Sequence, residues 1–233
     1  PDISAFEQSS PSFTFPKAET TTNYQFGTVY YADNFNIDAD IYYIGVNNNI
    51  VEQPCNNAPI FGPPGETCAL NTGTAIYKGV EGEGTYSFQG VFDGLALFLN
   101  GSANSSKSGG KWLKSAPMWT SASGLFYKQD NFKLSLIDKL VGQQYSDNAD
   151  TPFYKLNAYN EMDFKGSVIL ANLEFSLDIA NLLNSRSLAS VGINDKSPIG
   201  GANVYDVTNR NSSLDQYYYQ AGRSFDVTVK ARF

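Results

Sequence analysis

The sequence predicts an all-β fold: a transmembrane, antiparallel, up-and-down β-barrel with short turns on one rim and long loops on the other. Three observations predict it. First, the run Arg223–Phe233, RSFDVTVKARF, splits into an apolar set, Phe225, Val227, Val229, Ala231 and Phe233, and a polar set, Ser224, Asp226, Thr228, Lys230 and Arg232. Strict period-2 alternation puts these sets on opposite faces of one strand, and the run is about as long as a tilted strand that crosses a hydrocarbon layer. Second, the connections between strand-like runs alternate between short and long along the whole chain, which is how such barrels sort turns from loops. Third, 15 Tyr, 16 Phe, 20 Gly and 10 Pro against 17% charged residues favour β structure.

Nine strand-like runs carry the reading: Thr21–Ala32, Phe35–Val46, Ala75–Phe88, Leu95–Ala103, Met118–Lys128, Phe132–Val141, Lys155–Val168, Leu173–Ala180 and Gln220–Phe233. In the second, Phe35, Ile37, Ala39, Ile41 and Tyr43 oppose Asn36, Asp38, Asp40 and Tyr42. In the third, Ile76, Val80, Tyr86 and Phe88 share a face with two glycines, while Glu81 and Glu83 take the other. Leu95, Leu97 and Leu99 oppose Ala96, Phe98 and Asn100, a weaker pattern. In the eighth, Leu173, Phe175, Leu177 and Ile179 oppose Glu174, Ser176 and Asp178. Short connections fall at 33–34, 89–94, 129–131 and 169–172, and long ones at 47–73, 104–117, 142–154 and 181–219. The long ones are rich in Asn, Ser, Gly and Pro and read as solvated loops; Phe61, Trp112 and Tyr205 within them are placed to stack on a ligand. Trp119, Tyr30, Tyr31, Tyr127, Tyr217, Tyr218 and Tyr219 lie near strand ends, where an interfacial girdle of aromatics belongs.

Composition narrows the function. A net charge of −7 and a pI near 4.6 offer no basic patch for nucleic acid. No run of 18 apolar residues exists to form a membrane helix, and a mean hydropathy of −0.30 is compatible with strands that hide every second residue. With no histidine, the usual Ser-His-Asp and Cys-His arrangements are excluded. The carboxylate pairs Asp38/Asp40 and Glu81/Glu83 have the chemistry of a glycosidase, but residues at i and i+2 repeat on any water-facing strand, so no catalytic residue is assigned. No cofactor is expected. Cys55 and Cys68 share one Pro/Gly-rich loop and are expected to pair as a disulfide in an oxidising compartment; two Cys without His do not fill a zinc site. The chain begins with Pro and an N-terminal stretch without a signal sequence, and is read as a segment of something longer.

Six motifs, in order, resemble the C-terminal barrel of TonB-dependent outer-membrane receptors. PKAETTTNYQFGTVYY (16–31) is similar to the family's Pro-Glu…Thr…Asn-Tyr-Glu-Leu-Gly strand, departing at Lys17 and Gln25, where glutamate is usual. FNIDADIYYIGVNNNI (35–50), KGVEGEGTYSF (78–88), KSAPMWTSASGLFY (114–127), LEFSLDIANLLNSRS (173–187) and GRSFDVTVKARF (222–233) resemble the strands that follow, the last of them the closing strand with its terminal aromatic. The resemblance implies about the last nine strands of a 22-stranded, plugged barrel, with residues 1–233 forming one piece of that domain in a Gram-negative outer membrane. Short turns then face the periplasm and long loops the cell exterior.

It also implies the partners: outer-membrane lipid, the protein's own plug domain, the TonB energy-coupling complex, and a small-molecule ligand such as a ferric siderophore. Glu81, Glu83, Asp178, Asp226, Lys230 and Arg232 would face the lumen and plug, and Phe225, Val227, Val229 and Phe233 would close the barrel. Two other readings share the alternating pattern: a small self-standing porin, and a soluble secreted β-sandwich that binds carbohydrate.

Overall fold

The alternation in the sequence is realised as one long antiparallel sheet. A computed structural model describes residues 16–54, 67–71, 73–192 and 215–231. Its strands in chain order are β1 (Thr20–Tyr31), β2 (Phe35–Asn47), β3 (Ile50–Pro54), β4 (Thr67–Asn71), β5 (Thr74–Ser87), β6 (Leu95–Ser108), β7 (Lys111–Trp112) and β8 (Trp119–Gln129). They continue with β9 (Phe132–Val141), β10 (Gln144–Tyr145), β11 (Lys155–Leu156), β12 (Tyr159–Leu170), β13 (Leu173–Ala180), β14 (Leu188–Gly192), β15 (Gln216–Tyr219) and β16 (Ser224–Ala231). The main sheet runs β1-β2-β5-β6-β8-β9-β12-β13-β16, each strand hydrogen-bonded to the next, with β7 added beside β6. The nine expected strands are thus the nine of this meander. Among the described residues β1 and β16 pair with no other strand on their outer sides, so the sheet is not closed.

The register carries the sorting of faces across the whole width. Asp40 lies opposite Gly27 on β1 and Glu81 on β5, Glu81 opposite Ser102, and Ser102 opposite Thr120. One residue along, Ile41 lies opposite Phe26 and Val80, and Val80 opposite Ala103. A period of two, held without slippage, therefore builds one mostly polar face and one mostly apolar face, the sorting being weakest on β8, where Ser121 and Ser123 lie on the apolar side. The apolar face is bare: Phe26 is 74% exposed, Phe225 64% and Val227 73%. No second sheet covers it among the described residues, which removes the sandwich reading, since a sandwich buries these side chains between two layers. Such an uncovered apolar face belongs in lipid. No described helix is long and apolar enough to cross a membrane; the strands are the elements that match the span.

Several boundaries differ from the sequence reading. β6 continues to Ser108 rather than Ala103, and β7 folds back on it within the expected loop 104–117. Lys155–Leu156 is not the start of β12 but a separate strand paired with β10. β16 starts at Ser224 rather than Gln220: Gln216–Tyr219 pairs with Leu188–Gly192, and the Gln220 N–H donates to the Ser187 carbonyl at 3.0 Å beside that ribbon. The 47–73 loop likewise holds the β3–β4 ribbon. One physical reason covers all four: a long loop must satisfy its own backbone N–H and C=O groups, and small ribbons do so.

The short turns are tight. The β8–β9 and β12–β13 turns each place one residue in the left-handed region, Asp130 at φ 43° and Ala171 at φ 53°. In the β5–β6 turn Gly94 has φ 87°, its carbonyl accepts the Lys128 N–H at 2.8 Å, and a Cβ added there would lie 2.2 Å from the Lys128 carbonyl oxygen. Gly94→Ala is expected to destabilise the barrel by about 1–3 kcal/mol from the backbone conformation alone, before the clash is counted. The loss of heat-resistant gel mobility at lower urea concentration in the full-length protein checks this.

Candidate functional site

Two regions carry chemistry: the charged face of the sheet and the cluster of long loops beyond one rim. On the charged face, β2 contributes Asp38 and Asp40 and β5 contributes Glu83 and Glu81 directly opposite them. With Asn100, Ser102 and Thr120 they line a concavity of about 350 Å³ in which no lysine or arginine takes part. Like charges placed directly across a strand pair repel, so this wall is suited to a cationic surface or to water. Above it runs a polar chain: Tyr42 Oη donates to Asn104 Oδ1 at 2.7 Å, Asn104 Nδ2 donates to Ser102 Oγ at 3.0 Å, and Ser102 Oγ lies 2.8 Å from Thr120 Oγ1. Gly79 makes room for it, since a Cβ there would lie 2.8 Å from the Tyr42 hydroxyl.

Further along the same face the charges alternate. Lys165 pairs with Asp178 at 2.7 Å and Lys139 with Asp163 at 3.4 Å. Glu174 lies opposite Lys230, and Asp178 opposite Asp226, which accepts from Thr228 Oγ1 at 3.0 Å. A second concavity, about 480 Å³, is lined by Lys133, Lys165, Glu174, Asp178, Thr228 and Lys230 among others. These pairs are exposed and add little stability; their effect is to leave this half of the face near neutral while the β2–β5 half stays acidic.

The described parts of the 104–117, 142–154 and 181–219 loops fold against one another. Asp147, Asn148 and Asp150 turn their side chains onto backbone: Asn148 Oδ1 accepts from Lys114 N at 2.8 Å, Asp150 Oδ1 from Trp112 N at 2.6 Å, and Asp147 Oδ1 from Thr151 N at 3.2 Å. Lys111 Nζ donates to the Ala149 carbonyl at 2.8 Å. The same segment is tied to the next loop, for the Val191 N–H donates to Ser146 Oγ at 3.1 Å and Tyr154 Oη donates to Asp215 Oδ2 at 2.9 Å. Tyr154, Leu156 and Val191 are buried together with Leu188 against them, a hydrophobic cluster in the loops rather than in the sheet. Leu156→Ala is expected to cost this cluster about 2–3 kcal/mol. Faster amide exchange over residues 144–156 and 188–192, with exchange in the main sheet unchanged, checks it.

The site residues anticipated from sequence fall as follows. Glu81, Glu83, Asp178, Asp226 and Lys230 all lie on the charged face, and Phe225, Val227 and Val229 on the apolar one. Trp112 sits in β7 rather than in an irregular loop, with Lys107 Nζ 4.8 Å from its ring centre. Phe61, Tyr205, Arg232, Phe233 and Cys55 lie outside the described residues, and so does the pairing of Cys55 with Cys68; the Cys68 backbone faces Gln53 in the β3–β4 ribbon. The interlocked Asp147–Asp150 segment was not anticipated. Its cue is the Asp/Asn-rich run SDNADT before Pro152, the composition of side chains that bond nearby backbone.

Comparison with known proteins places this geometry. Residues 3–194 match the family model described as TonB dependent receptor-like, beta-barrel. The ferric yersiniabactin uptake receptor FyuA from Yersinia pestis superposes with a TM-score of 0.69 at 18% identity, over 92% of this chain and 30% of that one. A mutant of the ferric enterobactin receptor PfeA from Pseudomonas aeruginosa gives 0.65 at 23% identity, over 93% of this chain and 31% of that one. The copper transporter OprC gives 0.67 at 18% identity, over 94% of this chain and 32% of that one. The chain thus spans under a third of the length of the structures it matches. No curated protein matches it.

Proposed function

The chain belongs to the TonB-dependent receptor-like β-barrel family, and from that membership we propose that its protein is an outer-membrane receptor that captures a scarce nutrient and imports it with TonB-coupled energy. One observation carries the reading: a nine-strand meander keeps a bare, mostly apolar face on one side and a mostly polar face on the other. In this reading the apolar face meets outer-membrane lipid and the charged face lines the lumen. Residues 1–233 supply the C-terminal portion of one barrel domain, whose earlier strands and plug lie in the rest of the protein.

The acidic wall of Asp38, Asp40, Glu81 and Glu83 meets the plug or the water around it. The long loops 47–74, 104–117, 142–154 and 181–219 receive ligand from outside the cell. A ferric siderophore is the first ligand to test, because two of the similar structures are by name a ferric yersiniabactin uptake receptor and a ferric enterobactin receptor; copper is the second, after the copper transporter. Nothing in this function requires a catalytic residue or a cofactor.

The test uses cells that express the full-length protein in a strain lacking its own siderophore receptors. Accumulation of an iron-55 siderophore that stops when a protonophore discharges the inner membrane supports the proposal. Accumulation indifferent to the protonophore would show a diffusion pore instead.

A further inference from the structure

We propose that Asn181 is a positioning residue for ligand capture: its side chain closes the base of the loop that carries β14 and β15 and so fixes where that ribbon stands beyond the rim. The role in capture rests on the outer-membrane reading above; the clasp itself does not. Asn181 directly follows β13 and is only 3% exposed. Its backbone lies in the left-handed region at φ 51°, as does that of Asn184 at φ 52°, and the Asn184 N–H donates to the Asn181 carbonyl at 2.8 Å. Asparagine takes this conformation more readily than most residues. A turn alone would leave the side chain to water; here it is buried and fully used. Nδ2 donates to the Ser185 carbonyl at 2.7 Å and to the Ala221 carbonyl at 2.7 Å, and Oδ1 accepts the Ser185 N–H at 2.9 Å. Ser185 is on the chain leaving β13 and Ala221 on the chain returning to β16, so one amide joins the two arms of the loop.

The chemistry explains the residue. Asparagine offers two N–H donors and a carbonyl acceptor at once, whereas aspartate only accepts and serine has one donor. Both arms are also anchored to the barrel wall. The Asn181 N–H donates to Asp163 Oδ1 at 3.0 Å, on a carboxylate whose other oxygen pairs with Lys139, and the Leu182 N–H donates to the Met162 carbonyl at 2.6 Å. On the returning arm the Arg223 N–H donates to Asn184 Oδ1 at 3.0 Å, and Gln220 Nε2 donates to the Asn160 carbonyl at 3.3 Å. From this base the ribbon meets the neighbouring loop, where Gln144 Nε2 donates to the Ala189 carbonyl at 3.4 Å and Val191 packs with Tyr154 and Leu156. The clasp therefore sets the stance of a ribbon whose further contacts are to another loop. Removing its donor is expected to shift the closed-to-open ratio of the base by about tenfold.

The full-length receptor provides the test, as Asn181→Asp, which keeps the shape of the side chain but turns a carboxylate oxygen towards two carbonyls. Amide exchange is expected to be about tenfold faster over residues 188–192 and 216–219 and unchanged in β12 and β13. Energised accumulation of iron-55 enterobactin and iron-55 yersiniabactin, tried in turn, is expected to need about tenfold more ligand for half-saturation, with the maximal rate and the receptor level retained. Asn181→Gly, which suits the left-handed backbone and has no side chain, should behave alike and stands in for Asn181→Asp if that variant does not fold. Unchanged exchange over the ribbon would overturn the proposal, as would an unchanged half-saturation for a siderophore that the parent accumulates. So would faster exchange in β12 and β13, or a fall in maximal rate alone, because either makes Asn181 a support of the barrel. A parent that accumulates neither siderophore counts against those ligands and not against the clasp, which the exchange rates then decide.

Discussion

Arginine in place of Val227 is expected to cost the folded barrel about 2–4 kcal/mol, and arginine in place of the adjacent Thr228 next to nothing. Both residues lie near the middle of β16, one on the apolar face opposite Leu177 and the other on the charged face opposite Ser176. In lipid, a guanidinium at position 227 has no water and no counter-charge. At position 228 it points into the polar lumen beside Asp226 and Glu174. About 2–4 kcal/mol is more than a tenfold change in an equilibrium, so the Val227→Arg receptor should be scarce in outer-membrane fractions and the Thr228→Arg receptor near its parental level. Immunoblots of those fractions, with heat-resistant mobility as the folding check, read the difference. Equal levels of the two variants would mean that the faces are wrongly assigned.

The second large effect concerns the acidic wall. Four carboxylates on neighbouring positions of β2 and β5 repel at an effective dielectric near a protein surface by about 4 kcal/mol for each pair at 4 Å, far less where water screens them. Such a wall is tolerated most readily when a basic surface neutralises it, and in a plugged barrel the plug is the surface available. Replacing Asp38 and Asp40 by Asn together with Glu81 and Glu83 by Gln should therefore stabilise the empty barrel and loosen the plug. Cells carrying the full-length variant should become sensitive to large antibiotics that the outer membrane normally excludes, such as vancomycin, with receptor levels unchanged. Unaltered sensitivity combined with unaltered ligand uptake would show that the wall faces only water.

How much of this was legible in the sequence depends on what each segment had to distinguish. The nine membrane strands were readable because alternation of Phe, Ile, Leu and Val with Asp, Glu, Ser and Lys has only one placement on a sheet with two different solvents. β6 outruns its sequence signal because NGSANSSKS, from Asn100 on, has little apolar side chain on either face; a strand that has left the membrane looks like a loop. Glu81 and Glu83 were recognised as sharing a face, but their meeting with Asp40 and Asp38 depends on register, which alternation alone does not give.

The loop cluster was opaque for a stronger reason. Tyr154, Leu156, Leu188 and Val191 form a core from segments more than thirty positions apart, each with too few apolar residues to show a period. Asp138 and Asn160, joined on the apolar face by an Asn160 Nδ2 to Asp138 Oδ1 hydrogen bond of 3.3 Å, are hidden for the same reason as the acidic quartet. Asp138 looks like one more charged residue until the register assigns it to the apolar side.

The central claim is that this chain is the closing portion of a larger plugged barrel, and the intact mass of the native protein recovered from outer membranes, read with its N-terminal sequence, tests it most directly. The account predicts a mass about three times the 25.5 kDa of this chain, as its coverage of 30% of a similar receptor implies, with a globular segment ahead of the first strand. A native mass near 25.5 kDa would contradict it and leave a small self-standing barrel in its place.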